Sequence, residues 1–167
     1  PILEAEPAAI RDWAEHLPLA LVYQLRPKAR VLVLNPGGGL DVAVARSLEA
    51  AEVTAVSANA LVIDAVERYG SALYADPAVR AVVRSPRSYV HAGRTSGALP
   101  FSLIDLALNE GQQAVVSGGY ALSENYDYTV QAFVDDLGLL ETDGLLVAQR
   151  WLQTPPSEGL RTWSLAV

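Results

Sequence analysis

The chain has 167 residues, of which 51% are apolar and 19% charged, and it carries a net charge of −7. This length and composition predict one ordered domain with a single core and exclude a disordered chain. The acidic balance and the absence of a Lys/Arg cluster exclude nucleic acid as an expected partner. The absence of cysteine excludes disulfides and thiolate metal ligands, and with two histidines we expect no metal site.

The sequence contains no methionine, not even at its start, so we expect a fragment of a longer protein. No apolar run reaches the roughly 18 residues of a membrane span. The start, Pro-Ile-Leu-Glu, lacks the basic region of a signal peptide. We therefore expect a soluble cytoplasmic domain, with any membrane anchor of the parent protein outside this chain.

The chain opens with a predicted helical lead-in, residues 1–24, followed by the main domain, residues 25–167. A helix is expected after Pro7, with a break at Pro18. Helical spacing places four apolar residues on one face of this lead-in: Ile10, Trp13, Ala14 and Leu17.

Strands alternate with helices along the main domain. The predicted strands are residues 30–34, 52–57, 81–84, 101–108 and 144–150. The predicted helices are residues 41–51, 60–69, 123–138 and 157–166, with only a short helical turn at 88–91. This alternation predicts a Rossmann-like, doubly wound, mainly parallel α/β sheet of order 3-2-1-4-5 that stops after the fifth strand. The fifth strand is then an edge strand. We expect it to be covered either by the last helix or by a second copy of the chain, which would form a homodimer.

The strongest local signal is the glycine-rich turn between the first strand and its helix, Asn35-Pro-Gly-Gly-Gly39. Glycines let the backbone approach a ligand, and the helix that follows offers free N–H groups. The turn lies at the carboxyl end of a parallel strand, where ligands bind in such sheets. It therefore predicts a nucleotide-type site, although a merely connecting turn is the alternative. It is neither a P-loop nor a regular G-x-G-x-x-G, because Asn35 and Val42 stand where the outer glycines belong.

The second strand lacks the acid that usually binds a ribose. An Asp or Glu is expected about 20 residues after the glycines. This strand ends instead at Ser57, with Asn59 two residues later. Neutral groups form weaker hydrogen bonds than a carboxylate does, so we expect weak nucleoside binding.

Three segments resemble spermidine and spermine synthases, a branch of the class I S-adenosylmethionine-dependent methyltransferase fold. Residues 31–42, the glycine turn, look like their first motif. Residues 52–64 are similar to their second, which usually reads V-T-x-V-E-x-D-P-x-V, and residues 74–83 to the stretch before their third strand.

Residues 120–133 and 142–151 resemble one sub-branch of these proteins, whose domains are often fused to membrane-spanning segments. The resemblance covers roughly residues 18–165. It implies the fold, an S-adenosylmethionine or decarboxylated S-adenosylmethionine ligand, and no metal. The ligand contacts that it implies are Asn35, Gly37, Gly38, Gly39, Ser57, Asn59 and Ser85.

The departures from this family argue against its reaction. The family's ribose acid falls on Ser57, and its next acid falls on Asn59. The Gly-Asp that usually contacts adenine falls on Arg84-Ser85-Pro86. The family's catalytic Asp falls near Ala107, which cannot accept a proton, and Glu110 is the nearest carboxylate.

Three functions remain open from the sequence. The first is an S-adenosylmethionine-type nucleoside-binding domain that has lost aminopropyltransferase activity. The second is an active transferase on an unknown small acceptor. The third is a non-catalytic scaffold or regulatory domain of a membrane-anchored protein.

Several polar or aromatic residues allow two interpretations. Asp105, within an apolar strand, either lines the crevice or is satisfied by neighbouring groups. We expect Tyr126 to pack in the core and His91 to be structural. Arg87 and Arg94 either meet an anion or are solvated.

Overall fold

The structure is a computed structural model, and it describes residues 7–70, 72–108, 126–151 and 154–167. The helices are α1 (Pro7–Ala14), α2 (Ala20–Leu25), α3 (Leu40–Ser47), α4 (Ala60–Tyr69), α5 (Pro86–Ser96), α6 (Val130–Gly138) and α7 (Ser157–Ala166). The strands are β1 (Arg30–Leu34), β2 (Glu52–Ser57), β3 (Val79–Val83), β4 (Phe101–Leu106) and β5 (Leu140–Ala148). A short 3-10 turn, Leu73–Ala75, precedes β3.

The five strands form one sheet of order β3-β2-β1-β4-β5, and all four pairings are parallel. The predicted Rossmann-like fold and strand order are therefore confirmed. In the described part of the chain no further strand follows β5, which pairs only with β4. Its side chains are exposed or half-buried, as expected for an edge strand.

Helices cover both faces of the sheet, which explains why residues 31–34 of the central strand β1 are all apolar. Val31, Leu32 and Val33 of β1 are completely buried, although alternate side chains point to opposite faces. On one face, here called the α3 face, the core includes Ala14, Tyr23, Val33, Val42 and Leu103. On the other, the α5 face, it includes Leu32, Val90, Ile104, Phe133 and Leu139.

Helix α5 is longer than predicted. The expected helical turn at residues 88–91 is part of an eleven-residue helix that begins at Pro86, where proline needs no N–H partner. The helix ends at Gly97, whose φ of 67° favours glycine. The sequence predicted no helix beyond residue 91, but the polar residues Arg94, Thr95 and Ser96 belong to this helix and are exposed.

Helix α6 begins later than predicted. Residues 123–125 lie outside the described part, and α6 starts at Val130, where the Thr129 hydroxyl accepts a hydrogen bond from the N–H of Ala132 at 3.1 Å. The expectation that Tyr126 packs in the core is wrong, because its side chain is 63% exposed. The buried face of α6 instead contains Ala132, Phe133, Asp135 and Asp136.

The described part of the chain contains no helix that is both long and apolar enough to span a membrane. The boundary at residue 24 between the lead-in and the main domain stays a prediction.

Candidate functional site

The carboxyl ends of β1, β4 and β5 meet at one edge of the sheet. Here the strand ladder continues by one residue. The N–H groups of Asn35, Ala107 and Gln149 donate to the neighbouring strands at 2.9, 3.1 and 3.1 Å. The helix after β1 lies on the α3 face and the helix after β4 on the α5 face, so the topological switch point lies between these two strands. Open α/β sheets bind their ligands at such a point.

The glycine turn lies at this switch point, directly after β1. Asn35, Gly37 and Gly39 have φ values of 57°, 51° and 84°, in the left-handed region that glycine and asparagine tolerate. Among the described residues, no atom lies within 4 Å of a Cβ added to Gly37 or Gly38. A Cβ on Gly39 would come within 2.9 Å of a Leu73 methyl group. Gly37 and Gly38 therefore present open backbone, whereas Gly39 serves the packing of the turn.

Ser57 is the last residue of β2 and Asn59 follows two residues later, and both side chains hold the start of α4. Asn59 Oδ1 accepts a hydrogen bond from the N–H of Leu61 at 3.0 Å, which caps the helix. Ser57 Oγ accepts one from the N–H of Asn59 at 3.2 Å. Both residues act here as acceptors, so the Ser57 hydroxyl hydrogen and the Asn59 amide hydrogens remain for a ligand. Ser85 lies just past β3 and is exposed, without a side-chain capping bond to α5.

On the α5 face, Asp127 holds the start of the turn. Its Oδ2 accepts a hydrogen bond from Asn35 Nδ2 at 2.8 Å. Burial raises the pKa of Asp127, and the Asn35 bond and the Arg87 charge offset part of the increase. The Asp127 side chain packs near Leu34 and Leu106, the last residues of β1 and β4. It thus places a carboxylate at the switch point that the sequence analysis did not single out.

On the α3 face, Gln149 joins two buried aspartates. Its Nε2 donates to Asp41 Oδ1 at 2.7 Å, and to Asp105 Oδ1 and Oδ2 at 2.9 and 3.2 Å. Asp41 is 8% exposed and Asp105 completely buried. Burial and the neighbouring Asp41 charge raise the pKa of Asp105 to about 7, and burial also raises the pKa of Asp41. Tyr23, Asp41, Asp105 and Gln149 are called the Asp105 cluster below.

Asp105 therefore has a hydrogen-bond donor among its neighbours. This agrees with the second interpretation that the sequence left open, a carboxylate satisfied by neighbouring groups. Successive side chains of a strand point to opposite faces of the sheet. Ile104 and Leu106 lie on the α5 face, so Asp105 lies with Leu103 on the α3 face. The signal that could have found its partner is positional, because Gln149 is the polar residue that directly follows the fifth strand. Asp127 had no such signal, since it contacts Asn35 across 92 residues of sequence.

Three residues of α5, two arginines and one histidine, converge on Asp135 of α6. Arg87 Nη1 donates to Asp135 Oδ2, Arg94 Nε lies 2.7 Å from Oδ1, and His91 Nδ1 lies 3.1 Å from Oδ2. The structural role predicted for His91 fits this arrangement. The two arginines bind a protein carboxylate rather than remaining solvated. Arg87, His91, Arg94 and Asp135 are called the Asp135 cluster.

The sequence pointed to two positions for a catalytic base, and neither of them supplies a carboxylate among the described residues. Glu110, the weak catalytic candidate, lies outside the described residues. Ala107, at the position of the family's base, is 5% exposed and packs in the core of the α3 face. Among the described residues, no group of three or more His, Cys, Asp or Glu side chains could hold a metal ion.

Comparison with known proteins shows the fold. No family model matches the sequence, and no curated protein does. The structure is similar to spermidine synthase from Thermotoga maritima, with a TM-score of 0.67, 18% identity, and coverage of 93% of this chain and 50% of that one. It is similar to a spermidine synthase in complex with the transition state analogue AdoDATO, with a TM-score of 0.59, 16% identity, and coverage of 93% and 48%. A SAM-dependent methyltransferase from Agrobacterium tumefaciens gives a TM-score of 0.57, 16% identity, and coverage of 93% and 48%.

The fold is thus that of the class I S-adenosylmethionine-dependent methyltransferases. Within that class it is spermidine synthase-like, as the sequence motifs implied. The chain spans about half the length of these three solved structures.

Proposed function

We propose that this chain binds the nucleoside of S-adenosylmethionine or decarboxylated S-adenosylmethionine over the glycine turn and has lost aminopropyltransferase activity. The observation that carries the proposal is the open backbone at Gly37 and Gly38, located at the switch point and directly before α3. Backbone N–H groups in such a turn bind anionic or polar ligand groups without a side chain in the way. The proposed contacts are Asn35, Gly37, Gly38, Gly39, Ser57, Asn59 and Ser85.

The neighbouring structures support this ligand class. One of them is in complex with the transition state analogue AdoDATO, and another is a SAM-dependent methyltransferase. In the present chain the ribose would meet the neutral groups of Ser57 and Asn59 in place of a carboxylate. Loss of a charge-assisted hydrogen bond weakens binding by roughly tenfold to a hundredfold. We therefore propose micromolar or weaker binding, on the order of 10⁻⁵ M.

Titration calorimetry with S-adenosylmethionine, decarboxylated S-adenosylmethionine and methylthioadenosine tests the site. Gly38→Val should abolish binding, because the added side chain would fill the open space above the turn. Gly38 has no positive φ, so the substitution should leave the fold intact. Gly159→Val is the matched control, because an added Cβ there also meets nothing within 4 Å but lies on α7. Equal affinities in the two variants would place the site elsewhere.

The loss of aminopropyl transfer is tested separately with putrescine and decarboxylated S-adenosylmethionine. Because Ala107 cannot take a proton, the loss of the base costs about 10²–10⁴-fold in rate. We expect no turnover above background. Clear turnover would contradict the proposal and direct attention first to Glu110.

Asp127 favours a second candidate, a transferase active on a small acceptor. A half-buried carboxylate with a raised pKa next to the turn is able to accept a proton from an acceptor group. The test is slow conversion of S-adenosylmethionine to S-adenosylhomocysteine in the presence of small amines, alcohols and thiols. Under this candidate Asp127→Asn removes the conversion. If the unmodified protein forms no product, a binding domain without catalysis is the better description.

As a third candidate we propose a scaffold role, in which β5 is an interface. We propose that a second copy of the chain pairs with this edge, because exposed strand edges readily pair. Apolar side chains of α6 that are about half exposed, Val130, Val134 and Leu137, enlarge the apolar surface. Sedimentation equilibrium should detect a dimer, and a strict monomer at high concentration would contradict this interface.

A further inference from the structure

The Asp105 cluster has an uncompensated charge. Asp41 and Asp105 both accept hydrogen bonds from a single amide group, Gln149 Nε2. No described Lys, Arg or His side chain forms an ion pair with either carboxylate. Two adjacent carboxylates in a dry environment cannot both stay ionised at little cost. The pair therefore needs one positive charge from somewhere.

Among the residues that the structure describes, the groups that face Asp105 are neutral or acidic. From α3 it meets Asp41, from the end of β5 it meets Gln149, and its strand neighbours are Val33 and Val147. From α2 comes Tyr23, which is 4% exposed and whose hydroxyl has no hydrogen-bond partner. Both carboxylates act on this hydroxyl, and together with burial they raise its pKa. The phenol thus stays neutral and cannot supply the missing charge.

The charge is supplied by a proton, and Asp105 is the residue that keeps it. Gln149 Nε2 lies between the two carboxylates at hydrogen-bond distance from each, so it occupies the position that a bridging cation would need. Asp41 lies in the first turn of α3, where the helix dipole favours a negative charge. Asp105 is the more deeply buried residue, and its carboxyl group is therefore the one left neutral.

The cluster reaches the glycine turn through Asp41. The first hydrogen bonds of this region run from the N–H of Gly39 to Pro36 O at 2.8 Å and from the N–H of Ala43 to Gly39 O at 2.9 Å. Asp41 lies between Gly39 and Ala43. Gln149 is itself anchored by its N–H bond to Leu106 O at 3.1 Å. The side-chain bond from Gln149 to Asp41 thus fastens the first turn of α3 to the ends of β4 and β5.

We propose that Asp105 and Gln149 are positioning residues that hold the glycine turn through Asp41, and that the turn loses its ligand-binding geometry when Asp105 gives up its proton. The negative charge that Asp105 then carries repels the Asp41 carboxylate and pushes α3 away from the sheet edge. The effect on ligand affinity rests on the proposed function, whereas the effect on the turn itself does not.

The first experiment measures the affinity for methylthioadenosine at pH 6.0 and 8.5 by calorimetry. This probe has no group that titrates in that range, so a change in affinity reports on the protein. With a proton lost near pH 7, the competent fraction falls about 30-fold between the two pH values, and the affinity falls with it. Asp105→Asn keeps the shape but cannot ionise, so its affinity should change less than twofold. An equal pH dependence in the two proteins would overturn the proposal.

Two further variants separate positioning from general stability. Gln149→Met retains the length but donates no hydrogen bond, and should weaken binding at both pH values. Asp136→Asn is the matched control, because Asp136 is also buried and its pKa is also raised to about 7, but it lies on the α5 face. It should retain the pH dependence of the unmodified protein. If Asp136→Asn abolishes that dependence, the titrating group is on the wrong face and the proposal is wrong.

Amide hydrogen exchange gives a measurement that needs no ligand. Protection factors of the Gly39 and Ala43 amides should fall at least tenfold from pH 6.0 to 8.5 in the unmodified protein relative to Asp105→Asn. The amides of β1 serve as the internal reference. If protection changes in this way but methylthioadenosine does not bind at any pH, the proposed function fails and the positioning stands. If protection is unchanged, the positioning itself is overturned.

Discussion

Two buried aspartates lie on opposite faces of this sheet, and their environments differ in charge. Asp105 on the α3 face is completely buried and accepts hydrogen bonds from the neutral Gln149 amide, with Asp41 as its charged neighbour. Asp135 on the α5 face is 3% exposed. It is surrounded by Arg87, Arg94 and His91 of α5. The exposed fractions of the two residues are therefore nearly the same, whereas the positive charge around them differs.

The pKa values of the two residues move in opposite directions. Burial and the Asp41 charge raise the pKa of Asp105 to about 7. Burial acts in the same direction on Asp135, but hydrogen bonds to Arg87 and His91 and the charges of Arg87 and Arg94 outweigh it, so its pKa is lowered. The comparison teaches that burial alone does not decide whether a carboxylate is ionised. A nearby cation decides it, and one substitution should have opposite effects at the two sites.

The largest expected effect is that of Asp135→Asn. The change removes the anionic partner of Arg87, which is half-buried, and of Arg94, which is exposed. We expect a loss of about 3 kcal/mol in the free energy of unfolding at pH 7, measured by urea denaturation. Asp64→Asn, which removes an exposed pair with Arg68 on α4, should cost less than about 1 kcal/mol. If the two variants lose the same amount, the Asp135 cluster is not stabilised by its charges.

The next effect is that of Asp105→Asn, and it has the opposite sign. The carboxyl group ionises near pH 4 in the unfolded chain and near pH 7 in the folded one, so the folded state binds the extra proton between these values. Stability therefore falls as the pH rises from about 4 to 7. Asp105→Asn should be more stable than the unmodified protein by about 1–3 kcal/mol at pH 8 and nearly equal to it at pH 4.

Asp136 has to be tested together with Asp105, because its pKa is also raised to about 7. Burial is the larger cause, and the Asp127 charge adds to it. The single variants Asp105→Asn and Asp136→Asn should each remove part of the pH dependence between pH 4 and 8. The double variant should show a smaller pH dependence than either single variant, and the raised pKa values of Asp41 and Asp127 account for what remains. A steep loss of stability that persists in the double variant would show that other groups are responsible.

The smallest expected effect is that of His91→Gln. His91 lies 3.1 Å from Asp135, but its side chain is 58% exposed and two arginines remain on the carboxylate. We expect a change of less than about 1 kcal/mol in the free energy of unfolding at pH 7. The measurement is urea denaturation beside Asp135→Asn. A loss as large as that of Asp135→Asn would mean that the histidine, rather than the arginines, holds the cluster together.

The fold could be predicted because its signals are local. The strand β1 is an uninterrupted aliphatic run, and Asn35 to Gly39 interrupts it with residues that accept a left-handed backbone. The boundaries of α5 and α6 were predicted less well. The elements packed against these helices decide which of their faces is buried, and the spacing of apolar residues does not. In α6, Asp135 and Asp136 are buried, while Val130 and Leu137 are about half exposed. Apolar residues therefore do not by themselves mark the buried face of α6, and Tyr126 was placed in the core wrongly.

The sequence by itself determined the parallel α/β architecture, the strand order and the position of the glycine turn, because each follows from residues that are adjacent in the chain. Tertiary structure alone decided which side chains hold that turn. Asn35 meets Asp127 across 92 residues, and Asp41 meets Gln149 across 108. It also decided that α5 brings its cations to Asp135 while none of the described cations reaches Asp105. Ionisation depends on the charges within a few ångströms of a group, and a single sequence does not state those distances.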